Sequence, residues 1–462
     1  MDLAFLPASE QARLVRDGEV SSVELTELYL DRIEWLDPAL NSYVTVRAEG
    51  ALEDAREADE TGGEAPFRGV PIAIKDLTAT AGIRTTFSSR AYEEFVPPFD
   101  MAVVRRIREA GFVILGKTNT PEFGTTAFTE SDLNGATRNP WSPDRTPGGS
   151  SGGAAAALAA GLTPVAHGSD GGGSIRIPAS CCGVFGLKPS RGRVSSAPFT
   201  SLEGLATAGV LSRSVEDAAA LLDVMSGYET GDPWWAPPPE RPFADEAGRE
   251  VGRLRIAVTR EPPVPAAVAP ECLAAVDDAA RLLAELDHDV FDATPPWSEP
   301  GLMHTFITVW QVGPALQPID QPSLLTPLNR GLVESARACS AVDYVRAVAS
   351  LHALARRVVA FWDDVDVVLS PTLALPPVPI GWQEVADGPI EQLLRNAEFT
   401  PFTAIVNLTG QPAVSLPLHW SEDGLPIGVQ AIGPPAGDAV LLRLAAQVEE
   451  ARPWAGQRPP LS

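Results

Sequence analysis

The sequence predicts an α/β protein built around a mixed or mostly parallel sheet. Short apolar runs of strand character alternate with helix-length amphipathic runs along the 462 residues. Apolar residues make up 45% and charged residues 21%, enough to bury a large core and to exclude a disordered chain. No repeat of short period is visible, so a solenoid is not expected.

In chain order, Ser21-Ser22-Val23-Glu24 reads as a capping box. Leu25, Leu28, Tyr29, Ile33 and Leu36 follow at helical spacing, and Pro38 is expected to stop the helix. Residues 70–74 form a short apolar strand ending at Lys75-Asp76. A helix over 102–110 precedes a buried strand over 112–115. Residues 153–160 are almost all Ala and predict a closely packed helix; 163–167 is another strand, and Ser214 caps a helix through Met225. Residues 231–250 are Pro-rich and polar, either a linker or a long surface loop between two halves of one sheet. The patterning resumes with a strand over 254–258, helices over 275–286 and about 342–362, and a strand over 365–369 closed by Ser370-Pro371.

Sixty acidic residues against 35 basic ones give a net charge of −25. Such a chain is repelled by nucleic acid and by anionic membrane surfaces, so neither is expected as a partner. The four cysteines, Cys181, Cys182, Cys272 and Cys339, show no metal-ligand spacing and no disulfide framework. A reducing compartment fits them, and a cytoplasmic location is expected. The N-terminal stretch lacks a basic region ahead of its short apolar run and does not read as a signal peptide. Residues 152–166 are too short and too rich in Gly and Ala to span a bilayer.

Gly111 to Thr118 fits the phosphate-loop spacing GxxxxGK[ST], but its variable positions are themselves the strand, and Pro121 follows where a helix should open. Lys117 is therefore read as structural. None of the five histidines lies in an HExxH or paired spacing, and no GxSxG elbow occurs, so no metal or cofactor is expected. His167, at the end of an apolar strand, reads as a satisfied core group.

The stretch 146–190 holds two glycine clusters: Gly148-Gly149-Ser150-Ser151-Gly152-Gly153, and Gly171-Gly172-Gly173-Ser174. Each leads into a helical run rather than into polar linker sequence. Glycines at a loop–helix junction let backbone N–H groups converge on one point, the geometry of an oxyanion hole, and a serine at its edge is a candidate nucleophile. A serine hydroxyl needs a base. With no histidine in place, a neutral lysine is the next option, and Lys75 could be desolvated at the end of its apolar strand. On the residues alone, a lysine reaching solvent from a strand end stays open. Only three lysines occur in the chain (Lys75, Lys117, Lys188), which favours a need that arginine cannot meet.

The run 146–190 resembles the amidase-signature family, with its pattern GGSSGG…AA…G-[ST]-D-x-GGS-[IV]-R-x-P-A…CG…G-[LF]-KP. The resemblance extends to Gly69 through Asp76, Gly116 through Phe123, Thr137 through Trp141, Asn407 through Ala413 and Gly424 through Gln430. It implies a single large domain over 1–462, with a central mixed sheet flanked by helices on both faces. About 60–230 would be the catalytic core, about 231–400 a divergent substrate-shaping segment, and 401–462 a return to the core. It further implies Lys75 as base, Ser150, preceded by a cis peptide, as bridging serine, and Ser174 as nucleophile. Gly171, Gly172 and Gly173, with the Ser174 amide, match the oxyanion hole. Gly171 departs from the commoner Thr or Ile and is expected to widen its mouth. Asp170 and Arg176 match positions read as a structural ion pair.

The segment around Ser174 is similar to stand-alone bacterial amidases, including the 6-aminohexanoate cyclic-dimer hydrolases. A small-molecule amide or lactam is the expected partner, and a homodimer is left open. Gly124, Thr125 and Thr126, with the region 300–400, are expected to shape the substrate pocket. The glutaminase subunit of the tRNA-dependent amidotransferase usually carries Gln where this chain has Ile177. That reading and an amide-forming acyltransferase are the alternatives.

Overall fold

In the computed structural model, which describes residues 2–384 and 388–462, eleven strands join in one sheet. Residue 1 and residues 385–387 of the expected domain lie outside the described residues. Across the sheet the order is Tyr43–Val46, Val113–Thr118, Pro71–Lys75, Val165–Asp170, Thr207–Ser212, Phe185–Lys188, Ala413–Trp420, Pro426–Ile432, Val367–Pro371, Arg255–Val258 and Asp289–Asp292. Pro71–Lys75 lies parallel to both its neighbours, the middle of the sheet is antiparallel, and the Arg255–Val258 strand is parallel to its two neighbours. The sheet is therefore mixed.

Helices cover both faces, and strand alternation sorts residues between them. Ile72 and Ile74 pack with Ile107, Leu221 and Leu441 on one face. Ala73 packs with Ala155, Leu158 and Ile175 on the other. Period-two alternation puts Lys75 on the Ala73 face, the face covered by the Gly152–Ala159 helix. That helix is apolar or small at every position and is buried all round. A register shift in the Val113–Thr118 strand pairs Gly116 with Ala73 and Lys117 with Ile74, so Lys117 shares the opposite face. There it donates to the Thr78 carbonyl and to the Thr80 and Thr85 hydroxyls.

One expectation needs correction, and one open alternative closes. The Ser22–Leu40 helix has the predicted capping box but continues past Pro38, ending at Asn41 with φ of 55°. Glu34, whose carbonyl loses the partner that Pro38 lacks, is exposed, so water can serve that carbonyl. Residues 231–250 are no linker. They contain the short Phe243–Ala247 helix, whose Phe243 is buried in the main core and donates its N–H to Asp223 Oδ1 at 2.7 Å. Among the described residues, no helix is long and apolar enough to cross a membrane.

Candidate active site

Lys75 is fully buried at the C-terminal end of its strand. Its Nζ lies 2.7 Å from Ser150 Oγ, 3.1 Å from Ser169 Oγ and 3.2 Å from the Ser169 carbonyl oxygen. Burial lowers its pKa to about 7, against the opposing pull of the Asp170 carboxylate. The Gly149–Ser150 peptide is cis. The loops of the two serine clusters are tied directly, since the Ser151 N–H donates to the Ser174 carbonyl at 3.1 Å. Lys75, Ser150 and the Ser174 loop, up to 99 positions apart in the chain, thus meet at one end of the parallel strands.

Asp170 and Arg176 form the expected buried ion pair, with Nη2 to Oδ1 at 2.9 Å and Nε to Oδ2 at 3.0 Å. Arg176 also donates to the Thr403 carbonyl, Gln430 Oε1 and Asn407 Oδ1, so all five of its N–H groups have acceptors. Burial alone would raise the Asp170 carboxyl, but the Arg176 guanidinium holds it well below the usual carboxylate range. Asp170 in turn accepts the Gly173 N–H at 2.8 Å and the Ile175 N–H at 3.1 Å. This alters the expected oxyanion hole: the Gly173 amide is already engaged. Among the described residues, no protein acceptor takes the N–H of Gly171, Gly172 or Ser174.

The carbonyl of the same Gly172–Gly173 peptide accepts from Thr403 Oγ1 at 2.7 Å. Gly173 has φ of +128°, and a Cβ there would sit 2.3 Å from that hydroxyl, so glycine is required. Gly171 does not widen the mouth as expected. A Cβ there would lie 3.0 Å from the Trp310 ring, which occupies that space.

A cleft of about 840 Å³, including its open mouth, adjoins Ser174 and Gly172. Gly124, Thr125 and Thr126 lie on its wall, and the Leu302–Trp310 and Pro389–Phe399 helices close it. Glu122 ties residues 326–329 to the neighbouring 89–122 region: its buried carboxylate accepts from Ser89 Oγ, Thr326 N–H and Oγ1, and Asn329 Nδ2.

Sequence reasoning did not single out Ser169, Trp310, Thr403, Asn407 or Gln430. Ser169, Asn407 and Gln430 stand within the quoted motif segments, which was the available signal. His167 is buried but, among the described residues, neither ring nitrogen has a partner, so it is not a satisfied core group. Burial keeps it neutral by pushing its pKa down to about 3.

The Amidase family model matches residues 24–442. The protein AmiB2 of Mycobacterium tuberculosis is 44% identical over 468 residues, covering 100% of this chain and 99% of the relative. A 6-aminohexanoate-cyclic-dimer hydrolase of Pseudomonas sp. (strain NK87) is 40% identical, covering 98% of this chain and 96% of the relative. Among solved structures, a 6-aminohexanoate cyclic dimer hydrolase complexed with substrate superposes with a TM-score of 0.94 at 38% identity, covering 100% of both chains.

Proposed function

The chain belongs to the amidase family, enzymes acting on carbon–nitrogen bonds, and on that premise we propose that it hydrolyses a small-molecule carboxamide or lactam through an acyl-enzyme on Ser174. Neutral Lys75 takes a proton from Ser150, which takes one from Ser174. The Ser174 alkoxide attacks the substrate carbonyl. The N–H groups of Gly171, Gly172 and Ser174 receive the negative charge that develops on its oxygen. The proton then returns through Ser150 to the departing nitrogen. Water repeats the sequence on the ester, releasing the acid and restoring Ser174.

The observation that carries this reading is the 2.7 Å approach of the buried, pKa-lowered Lys75 to Ser150. A protonated lysine could only donate to that hydroxyl; a neutral amine can accept its proton. Fluorophosphonate labelling with mass mapping tests it. Label is expected on Ser174 alone, and Ser174→Ala is expected to fold normally, take no label and lose activity by several orders of magnitude. A Ser174→Ala variant keeping a tenth of the activity would remove Ser174 from the mechanism.

A further inference from the structure

The walls of the Ser174 cleft carry a statement about its substrate. Leu302, Met303, Phe306, Ile307 and Trp310 line it from one helix, at spacings that fall on a single face. Leu393, Ile405 and Leu408 add to the apolar surface. No charged side chain lines the cleft among the described residues. A charged group drawn inside would lose its hydration with no counter-charge in reach, which strongly disfavours its entry.

The polar side chains on the wall are largely engaged by the protein. Thr125 Oγ1 donates to the Glu122 carbonyl, Thr126 Oγ1 to the Phe128 carbonyl and Thr400 Oγ1 to the Asn396 carbonyl, each at 3.1 Å. Asn396 accepts the Ala127 N–H with Oδ1 and donates to the Gln392 carbonyl, both at 2.8 Å. The walls therefore select by shape and apolar contact more than by directed hydrogen bonds. Ser174 and the oxyanion donors supply the polar contacts for the reacting amide itself.

Trp310 gives the cleft a flat surface beside the reacting centre. Its indole stacks on Phe306 at 5.5 Å and 20°, and its Nε1–H donates to the Thr125 carbonyl at 3.2 Å. It reaches the oxyanion loop because residue 171 has no side chain. Gly172, on the wall of the same cleft, leaves open space where a Cβ would point.

We infer that the enzyme takes an uncharged carboxamide carrying a flat aromatic or extended apolar group, and that Trp310, seated over Gly171, sets this preference. The inference rests on the Ser174 acyl-enzyme reading and deepens it. The net charge of −25 acts in the same direction, because it disfavours carboxylated substrates before they reach the cleft.

Butyranilide, its 4-carboxy and 4-trimethylammonio counterparts, and propionamide are the probes, with turnover and fluorophosphonate labelling measured on wild type, Trp310→Phe and Trp310→Ala. Wild type is expected to favour butyranilide over either charged counterpart by at least about a hundredfold in kcat/KM. Trp310→Ala should lose about tenfold or more on butyranilide, mainly through KM, and at least about fivefold more than it loses on propionamide; Trp310→Phe should keep most of the preference. All three proteins should label at Ser174. Charged counterparts turned over within about threefold of butyranilide would overturn the inference. So would labelled protein that ignores butyranilide, or a Trp310→Ala variant that leaves butyranilide unaffected or loses all substrates equally. Wild type that takes no label at Ser174 would instead bring down the acyl-enzyme reading, and this inference with it.

Discussion

Asp170 and Thr403, 233 positions apart in the chain, hold the two ends of one peptide group. Asp170 Oδ1 accepts the Gly173 N–H, and Thr403 Oγ1 donates to the Gly172 carbonyl, so the plane of that peptide is fixed from both sides. This peptide lies next to the Gly171, Gly172 and Ser174 amides, the oxyanion donors of the proposed mechanism, and restrains them. Thr403→Val keeps the volume but removes the donor. It should lower kcat about tenfold, short of the roughly hundredfold seen when an oxyanion donor itself is lost, with KM nearly unchanged. Thr403→Ser should retain most of kcat. Steady-state kinetics beside a melting curve decide it: a loss that Ser does not rescue would mean that Thr403 only supports packing.

Activity should rise with pH through about 7 and level off above it, because the base must be unprotonated and burial brings Lys75 to about 7. Lys75→Arg should be almost as inactive as Lys75→Ala, since a guanidinium does not give up its proton in a protein. An Arg variant with substantial turnover across the same pH range would exclude Lys75 as the base.

The same lysine weakens the fold. Lys75 and Lys188 are lowered to about 7 and Lys117 to about 8, each by burial first, whereas unfolded lysines titrate near about 10.4. Between these values the unfolded chain binds more protons than the native one, so stability should rise as pH rises from about 7 to about 10. Lys75→Met removes one such group while nearly keeping its volume. The variant should melt a few degrees higher at pH 7, and its stability should gain less from alkaline pH than that of wild type. Calorimetry at pH 7 and pH 9.5 tests both statements; a lower melting temperature at pH 7 would contradict the first.

Thiol reagents should leave activity intact. Cys181 and Cys182 are fully buried, and burial raises both thiols well above their ordinary pKa, so little thiolate is available to react. Incubation with iodoacetamide followed by assay and mass mapping checks this. Rapid inactivation with label on either cysteine would show that the helix carrying them opens in solution.

What could be read from the sequence was local. The capping box at Ser21 and the strand ending in Lys75 each follow from residues within a few positions of one another, whereas the Asp170–Arg176 pair was implied by the resemblance to the amidase-signature family. The bulge that turns Lys117 away from Lys75 leaves no local signature, because it depends on how the strand pairs with Ala73 and Ile74. Trp310 and Thr403 escaped for a related reason. Nothing near either residue shows that the chain brings it to Gly171 or Gly172 across more than a hundred intervening positions. The run through Pro38 depended on solvent beside Glu34, which only the assembled surface reveals.

The burial of all three lysines gives the surface an unusual reactivity. The folded protein displays no lysine ε-amine, and its permanently charged surface side chains of basic type are guanidinium groups that acylating reagents largely ignore. Amine-directed coupling, biotinylation or crosslinking through lysine should therefore fail on the native enzyme and proceed once a strand end opens. Acylation of Lys75, Lys117 and Lys188, followed residue by residue, would serve as a clock for the opening of three strands of one sheet, two of them neighbours.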